Sequence, residues 1–215
     1  PSTSSAASDV YKRQGYWFGK KNPNFKSDII TNFAGKIGVP ALLFYSLAAS
    51  NTLDFSTFIQ FGLLTFIFVG CFSILGIIVL KLLKRDQVTE LGPLILPNTG
   101  NLGLPICLFA YGDKGFSIAS SIAAVIMLLH FTLGIFIASK KFSLRPLIES
   151  IPMHSLLISG VMLYFNIKPP VFLVNTTMLL SYSTIFLILA SLGIALSNLE
   201  TVSYTHLRAH ETRTY

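Results

Sequence analysis

The chain has 215 residues, 52% of them hydrophobic and only 12% charged, with a mean hydropathy of +0.66. Soluble domains average about 25% charged residues, so this composition excludes an ordinary soluble domain. The net charge of +7 sits in short basic clusters between apolar runs, a pattern of membrane topology rather than of nucleic-acid binding.

The chain begins and ends on polar segments of unusual origin. Residues 9–14, D-V-Y-K-R-Q, are the translation of AGATGTGTATAAGAGACAG, a transposon end used in sequencing libraries, read from its second base. Residues 202–207, V-S-Y-T-H-L, are the reverse complement of the same oligonucleotide read from its third base. The flanks 4–8 and 208–212 look like the adapter arms attached to it. Both strands of one oligonucleotide at opposite ends of a chain form a specific signal. Residues 1–14 and 201–215 are therefore expected to be adapter-derived tails, not native, and are left out of the fold reading. His206, Arg208, His210 and Glu211 carry no metal or catalytic role on this reading. The native part is residues 15–200, expected to be cut from a longer gene at both ends.

Residues 15–18, G-Y-W-F, read as the last turn of a preceding span, with Tyr16 and Trp17 at the interface. Six apolar spans follow at 29–50, 56–80, 91–111, 116–138, 147–165 and 171–196. Basic residues alternate sides between them. Lys20, Lys21 and Lys26 precede the first span, Lys81, Lys84 and Arg85 follow the second, and Lys140, Lys141 and Arg145 follow the fourth. The intervening loops hold only Lys114 and Lys168. Nine against two assigns the richer side to the cytoplasm, and all six spans then alternate without conflict. Residues 40–49 (P-A-L-L-F-Y-S-L-A-A) are weakly similar to 185–194 (I-F-L-I-L-A-S-L-G-I) in the sixth span. The two spans run in opposite directions, as an inverted repeat requires.

The third span is the informative one. Residues 91–111 are 21 in number and uncharged, about enough to cross a ~30 Å hydrocarbon core. Its centre, L-I-L-P-N-T-G-N-L-G-L-P, holds Pro97, Gly100, Gly103 and Pro105, with Asn98 and Asn101 between them. Proline lacks the N–H, and glycine weakens helix, so a break is expected between about Asn98 and Leu104. Unpaired backbone cannot face lipid, where each orphan group costs several kcal/mol. The break must line a protein-enclosed, hydrated cavity, which is how many secondary transporters build a substrate site. Asn98, Thr99 and Asn101 are the expected substrate contacts, because asparagine offers two donors and an acceptor. The half-helix starting near Pro105 would point its positive end at the break, favouring an anion. The simpler reading is a merely kinked helix, since Pro and Gly are commoner in membrane helices than in soluble ones.

Ionisable residues elsewhere point to no catalysis. Seven acidic residues lie between 15 and 200, at Asp28, Asp54, Asp86, Glu90, Asp113, Glu149 and Glu200, all in loops or near span ends. A buried carboxylate pair for proton or sodium exchange is not supported by this portion. Lys36 lies two turns inside the first span. Snorkelling to the interface is the simpler reading, and contact with an anionic substrate the sharper one. His130, mid-span, can relay protons or stay neutral and hydrogen-bonded; His154, beside Pro152, reads as structural. Cys71 and Cys107 fall inside apolar spans as small hydrophobes, with no disulfide or redox role expected. No metal-ligand spacing, catalytic triad or phosphate loop occurs, so no metal, cofactor or enzymatic activity is expected.

The motif P-N-T-x-x-x-G-x-P followed by A-Y-G over residues 97–112 resembles the fourth helix of the auxin efflux carrier family, which includes malate-permease-like members. Residues 15–21 (G-Y-W-F-G-K-K) and 39–48 (V-P-A-L-L-F-Y-S-L-A) are similar to the end of its first helix and to its second. The resemblance implies an all-α membrane protein: six transmembrane helices of an expected ten-helix inverted-repeat transporter, with a broken crossover helix. Residues 15–200 would then be a truncated transporter domain running from the end of helix 1 to helix 7. The resemblance further implies that helices 3–5 belong to a moving transport domain and helices 2, 6 and 7 to a scaffold. It places the substrate-contacting asparagine at Asn98 and the crossover proline at Pro97. The implied activity is secondary transport of a small organic anion by alternating access, from a multi-pass position in a bacterial inner membrane. A proton or sodium ion is the expected coupling partner, and a homodimer the expected assembly. Alternatives are a bile-acid/sodium symporter-like transporter of the same architecture, or a non-transporting membrane scaffold or receptor whose broken helix is only structural. A second Pro/Asn-rich break in the complete gene would separate transport from the scaffold reading.

Overall fold

A computed structural model describes residues 3–211 except 24, 26, 50–51 and 141–144, with side chains described over 8–197 save Asn101. Every element in it is helical: α1 Thr3–Lys21, α2 Asp28–Ala49, α3 Phe55–Leu82, α4 Gln87–Ile95, α5 Leu104–Ser139, α6 Arg145–Glu149, α7 Ile151–Tyr164 and α8 Val171–Glu211. The all-α membrane fold expected from the hydropathy pattern is what the chain adopts. Among the described residues, four helices (α2, α3, α5 and α8) are long and apolar enough to cross a membrane. α7 has 14 residues and rises only about 21 Å, short of a ~30 Å core. The expected span 147–165 is thus divided between α6 and α7, whose junction carries Ser150 and Pro152. Helix α1 runs across residues 14–15 and α8 across 200–201; the side chains of the expected tail 201–215 lie outside the described residues.

Local chemistry sets the helix starts. Asp54, in extended backbone, caps α3 by accepting the Thr57 N–H at 3.0 Å and the Thr57 hydroxyl at 2.6 Å. Asp86 caps α4 by accepting N–H groups of Val88 and Thr89, both at 3.2 Å, and the Thr89 hydroxyl at 2.8 Å. The Thr57 hydroxyl above all holds the Asp54 carboxyl below the usual carboxylate range, and the Thr89 hydroxyl does the same for Asp86. Both caps therefore stabilise above the ordinary carboxylate pKa of about 3.9 and fade only as pH falls below it.

The helices pack in two groups. In one, α3, α4 and α5 share a core of Val69, Leu80, Leu91, Ile95, Leu96, Ile126 and Leu129. Thr65, Val69, Gly76 and Leu80 make the packed stripe of α3, spaced four, seven and four residues apart. Leu63, Phe66, Phe68 and Phe72 lie on its exposed face, which is the face offered to lipid. In the other group, α2 packs on α7 and α8, and α8 on α1. There Gly15 abuts the Ala190 carbonyl and Gly193 the Lys12 carbonyl, backbone against backbone, as small residues allow in membrane helices. The seam between the groups is filled by Leu42, Phe44, Tyr45, Leu104, Phe116, Ala123, Ile185 and Leu189. The two segments with repeat-like similarity, 40–49 and 185–194, meet in this core.

Candidate functional site

The expected break is present but sits earlier than the sequence suggests. The last helical bond of α4 is Leu96 N–H to the Gly92 carbonyl at 3.0 Å. Leu96 then adopts φ −111, ψ 87, leaving helical geometry. Pro97 has no N–H to continue the ladder, and its carbonyl accepts the Thr99 N–H at 2.9 Å in a tight turn. From Thr99 to Gly103 the chain is already wound, as a π-helical turn that leads into α5. The discontinuity is therefore Leu96–Asn98, not Asn98–Leu104. Pro105 stands in the first turn of α5, as expected of the half-helix that starts near it, and it is fully buried. A second interruption lies further on: Gly112, at φ 63 and ψ −158, bends α5 into arms 104–111 and 113–139. These arms correspond to the end of the expected third span and to the fourth.

Pro97, Asn98, Thr99 and Gly100 line a cavity of about 840 Å³ between the two helix groups. Asn98 is exposed and Thr99 half-buried. Of the other residues singled out in the sequence, Gly103 and Pro105 stand behind the wall rather than in it, and the Asn101 side chain lies outside the described residues. Opposite the break, α2 contributes Lys36, Val39, Leu42 and Leu43. His130 and Met127 come from α5, and Glu149, Ser150 and Pro152 from the α6–α7 junction. The wall is mostly apolar with a few convergent polar groups, the usual make-up of a small-molecule site.

The charges in this cavity are unevenly balanced. Arg145 Nε donates to Glu149 Oε1 at 2.7 Å, so the one carboxylate on the wall already has a cation. Lys36 lies across the cavity, without an ion pair among the described residues. His130 Nδ1 contacts the Ile126 carbonyl at 2.9 Å, so Nδ1 carries a proton and donates it to that carbonyl. The α5 N-terminus adds partial positive charge at the break. Among the sequence candidates, the structure brings together Asn98, Thr99, Lys36 and His130. Glu149 escaped sequence reasoning because a loop carboxylate near a span end carries no signal of its own.

The same segment decides the family. A model of the membrane transport protein family matches residues 14–145, a stretch that contains the break, Lys36 and His130. The chain belongs to this family. It is the auxin efflux carrier family that the helix-4 motif resembles. An uncharacterized transporter of Methanocaldococcus jannaschii is 29% identical over 187 residues, covering 79% of this chain and 59% of that protein. The chain thus spans about three-fifths of the length of the curated relative it matches. No solved structure matches. Family and relative point to a multi-pass membrane transport protein.

Proposed function

We propose that this chain is the larger part of a secondary transporter that moves a small organic anion across the membrane by alternating access. The observation that carries the reading is the cavity itself. The Leu96–Asn98 break faces Lys36 and His130 there, and the single wall carboxylate is taken up by Arg145. In this reading Asn98 and Thr99 bind the anion, with Asn101 in the same wound turn. Lys36 supplies the compensating charge, and nine basic residues face the cytoplasm. Coupling to a proton or sodium ion and a dimeric assembly belong to the same proposal. The break meets an anion with fixed dipoles in a partly dry site, where they act more strongly than in water.

Lys36 separates this reading from the scaffold alternative. Reconstituted full-length protein is assayed for uptake of a panel of radiolabelled carboxylates, at matched membrane expression. Lys36→Arg should keep most uptake, whereas Lys36→Met should lower apparent affinity about tenfold or more, the scale of one charge-assisted contact. A snorkelling lysine predicts equal uptake in all three proteins, and that outcome would discard the anion site.

We also propose that residues 1–14 and 201–215 are translated adapter sequence. The oligonucleotide reading accounts for residues 9–14 and 202–207 residue by residue. Complete genes of close relatives should continue the helix pattern through both junctions. An assembled genome encoding both tails in frame would end this idea.

A further inference from the structure

At one end the cavity is lined by Pro146, Glu149, Ser150 and Pro152, which follow Lys140 and Arg145 on the basic side of the protein. At the opposite end the two helix groups are tied together by polar contacts centred on Asp113. The Gly112 bend, with its positive φ, turns Asp113 back toward α8. Asp113 Oδ1 accepts the Tyr182 hydroxyl at 3.1 Å, and the Asp113 carbonyl accepts the Thr52 hydroxyl at 3.5 Å. Thr52 also hydrogen-bonds the buried Ser117 hydroxyl. The Tyr182 ring lies 6.2 Å from that of Tyr45 on α2. The Asp113–Tyr182 bond joins α5, which belongs with α3 and α4, to α8 across the seam, and the Thr52 bonds tie α5 to the connection between α2 and α3.

Deeper in the seam the hydroxyls behave differently. Ser46 donates to the Leu43 carbonyl, Ser120 to Phe116, Ser121 to Ser117, Ser181 to Thr177 and Thr184 to Leu180, each within its own helix. The Asp113–Tyr182 bond instead crosses the seam.

We propose that Asp113, Tyr182, Thr52 and Ser117 form the gate that closes the cavity on the side away from the basic loops. The gate rests on the alternating-access reading above, and opening it means breaking the Asp113–Tyr182 and Thr52–Ser117 bonds so that α5 slides along α2 and α8. Neither Asp113 nor Tyr182 lines the cavity, so their part is to set which side has access.

The test needs no substrate. In full-length protein with Cys71 and Cys107 replaced by alanine, Met127→Cys puts a reporter thiol on the cavity wall. A membrane-impermeant maleimide is applied to right-side-out and to inverted vesicles, with Lys114→Cys marking the outer face in a parallel sample. Asp113→Asn and Tyr182→Phe each weaken one hydrogen bond, so labelling of the reporter from the outer face should rise about two- to tenfold. Thr52→Cys with Ser117→Cys puts two thiols where two hydroxyls now touch, and their oxidation should stop outer labelling while labelling from the basic side continues. Reduction should restore it. Equal outer rates in the parent and both single variants, or an outer rate that the disulfide leaves unchanged, overturns the gate. Because labelling reads access alone, that failure is distinct from a failure of the anion site, which the Lys36 variants report through uptake.

Discussion

Asn98→Asp should abolish most anion transport in the full-length protein while leaving its membrane expression near wild type. Asn98 is the last residue of the discontinuity, exposed on the cavity wall between Pro97 and the wound turn that begins at Thr99. A carboxylate there repels an incoming anion and takes the position at the α5 N-terminus that the anion would use. Asn98→Ala removes one polar contact, worth about 1–3 kcal/mol where the partner stays buried, or roughly a five- to hundredfold loss of apparent affinity. The aspartate should be worse than the alanine, and that order is the diagnostic result. A structural kink alone predicts the reverse, because aspartate preserves more of the side-chain volume and turn propensity than alanine does. Folding should survive both changes, since Pro97 already prevents α4 from continuing. Transport by Asn98→Asp equal to wild type, at equal expression, would falsify the anion-site assignment.

The parts of this molecule that were legible in the sequence are those fixed by local chemistry. Apolar runs of membrane length matched α2 and α3 to within two residues and the start of α8 to the residue, because hydrocarbon thickness and capping carboxylates such as Asp54 leave little freedom. By contrast, α5 begins twelve residues before the expected span and α8 runs beyond its expected end. The broken segment was legible for the same reason: two prolines and two glycines cannot sustain one helix. Which of them make the break was not. Pro105 has the same covalent chemistry as Pro97, yet one sits in the first turn of a helix and the other just past the end of one. Composition does not encode that difference, and the packing of Leu96 into the α3–α5 core does. Gly112 was visible only as part of a motif, although its positive φ turns α5 and aims Asp113. The convergence of Lys36, His130 and Glu149 on one cavity depends on how three separate elements pack, and each residue alone has an ordinary explanation. The seam behaves likewise. Asp113 and Tyr182 are 69 positions apart, and no periodicity links them.

Gly15→Leu should be the most destabilising single change outside the site, and Gly70→Leu should be harmless. Both glycines lie in apolar stretches, and the sequence offers no reason to rank them. The backbone at Gly15 rests on the Ala190 carbonyl of α8, so that any Cβ meets main-chain atoms that cannot rotate away. A leucine there must push α1 off α8, and with it Gly19, one turn further along, which rests on Ser197 and the Ile194 backbone. Overpacking commonly costs about 1–3 kcal/mol, and a rigid backbone obstacle puts this case at the upper end. At Gly70, on the exposed face of α3, nothing lies within 4 Å of an added Cβ. Leucine there gains the roughly 0.5–1 kcal/mol that glycine costs in a helix interior, and it meets only lipid. Thermal aggregation of the detergent-solubilised full-length protein, followed by size-exclusion profile, reads both changes at once. Gly15→Leu should melt several degrees below wild type and Gly70→Leu at or above it. Equal melting of the two variants would mean that α1 and α8 do not touch through their backbones. The seam would then have to be held by side chains alone, and a helix pair held that way tolerates a leucine by shifting a rotamer.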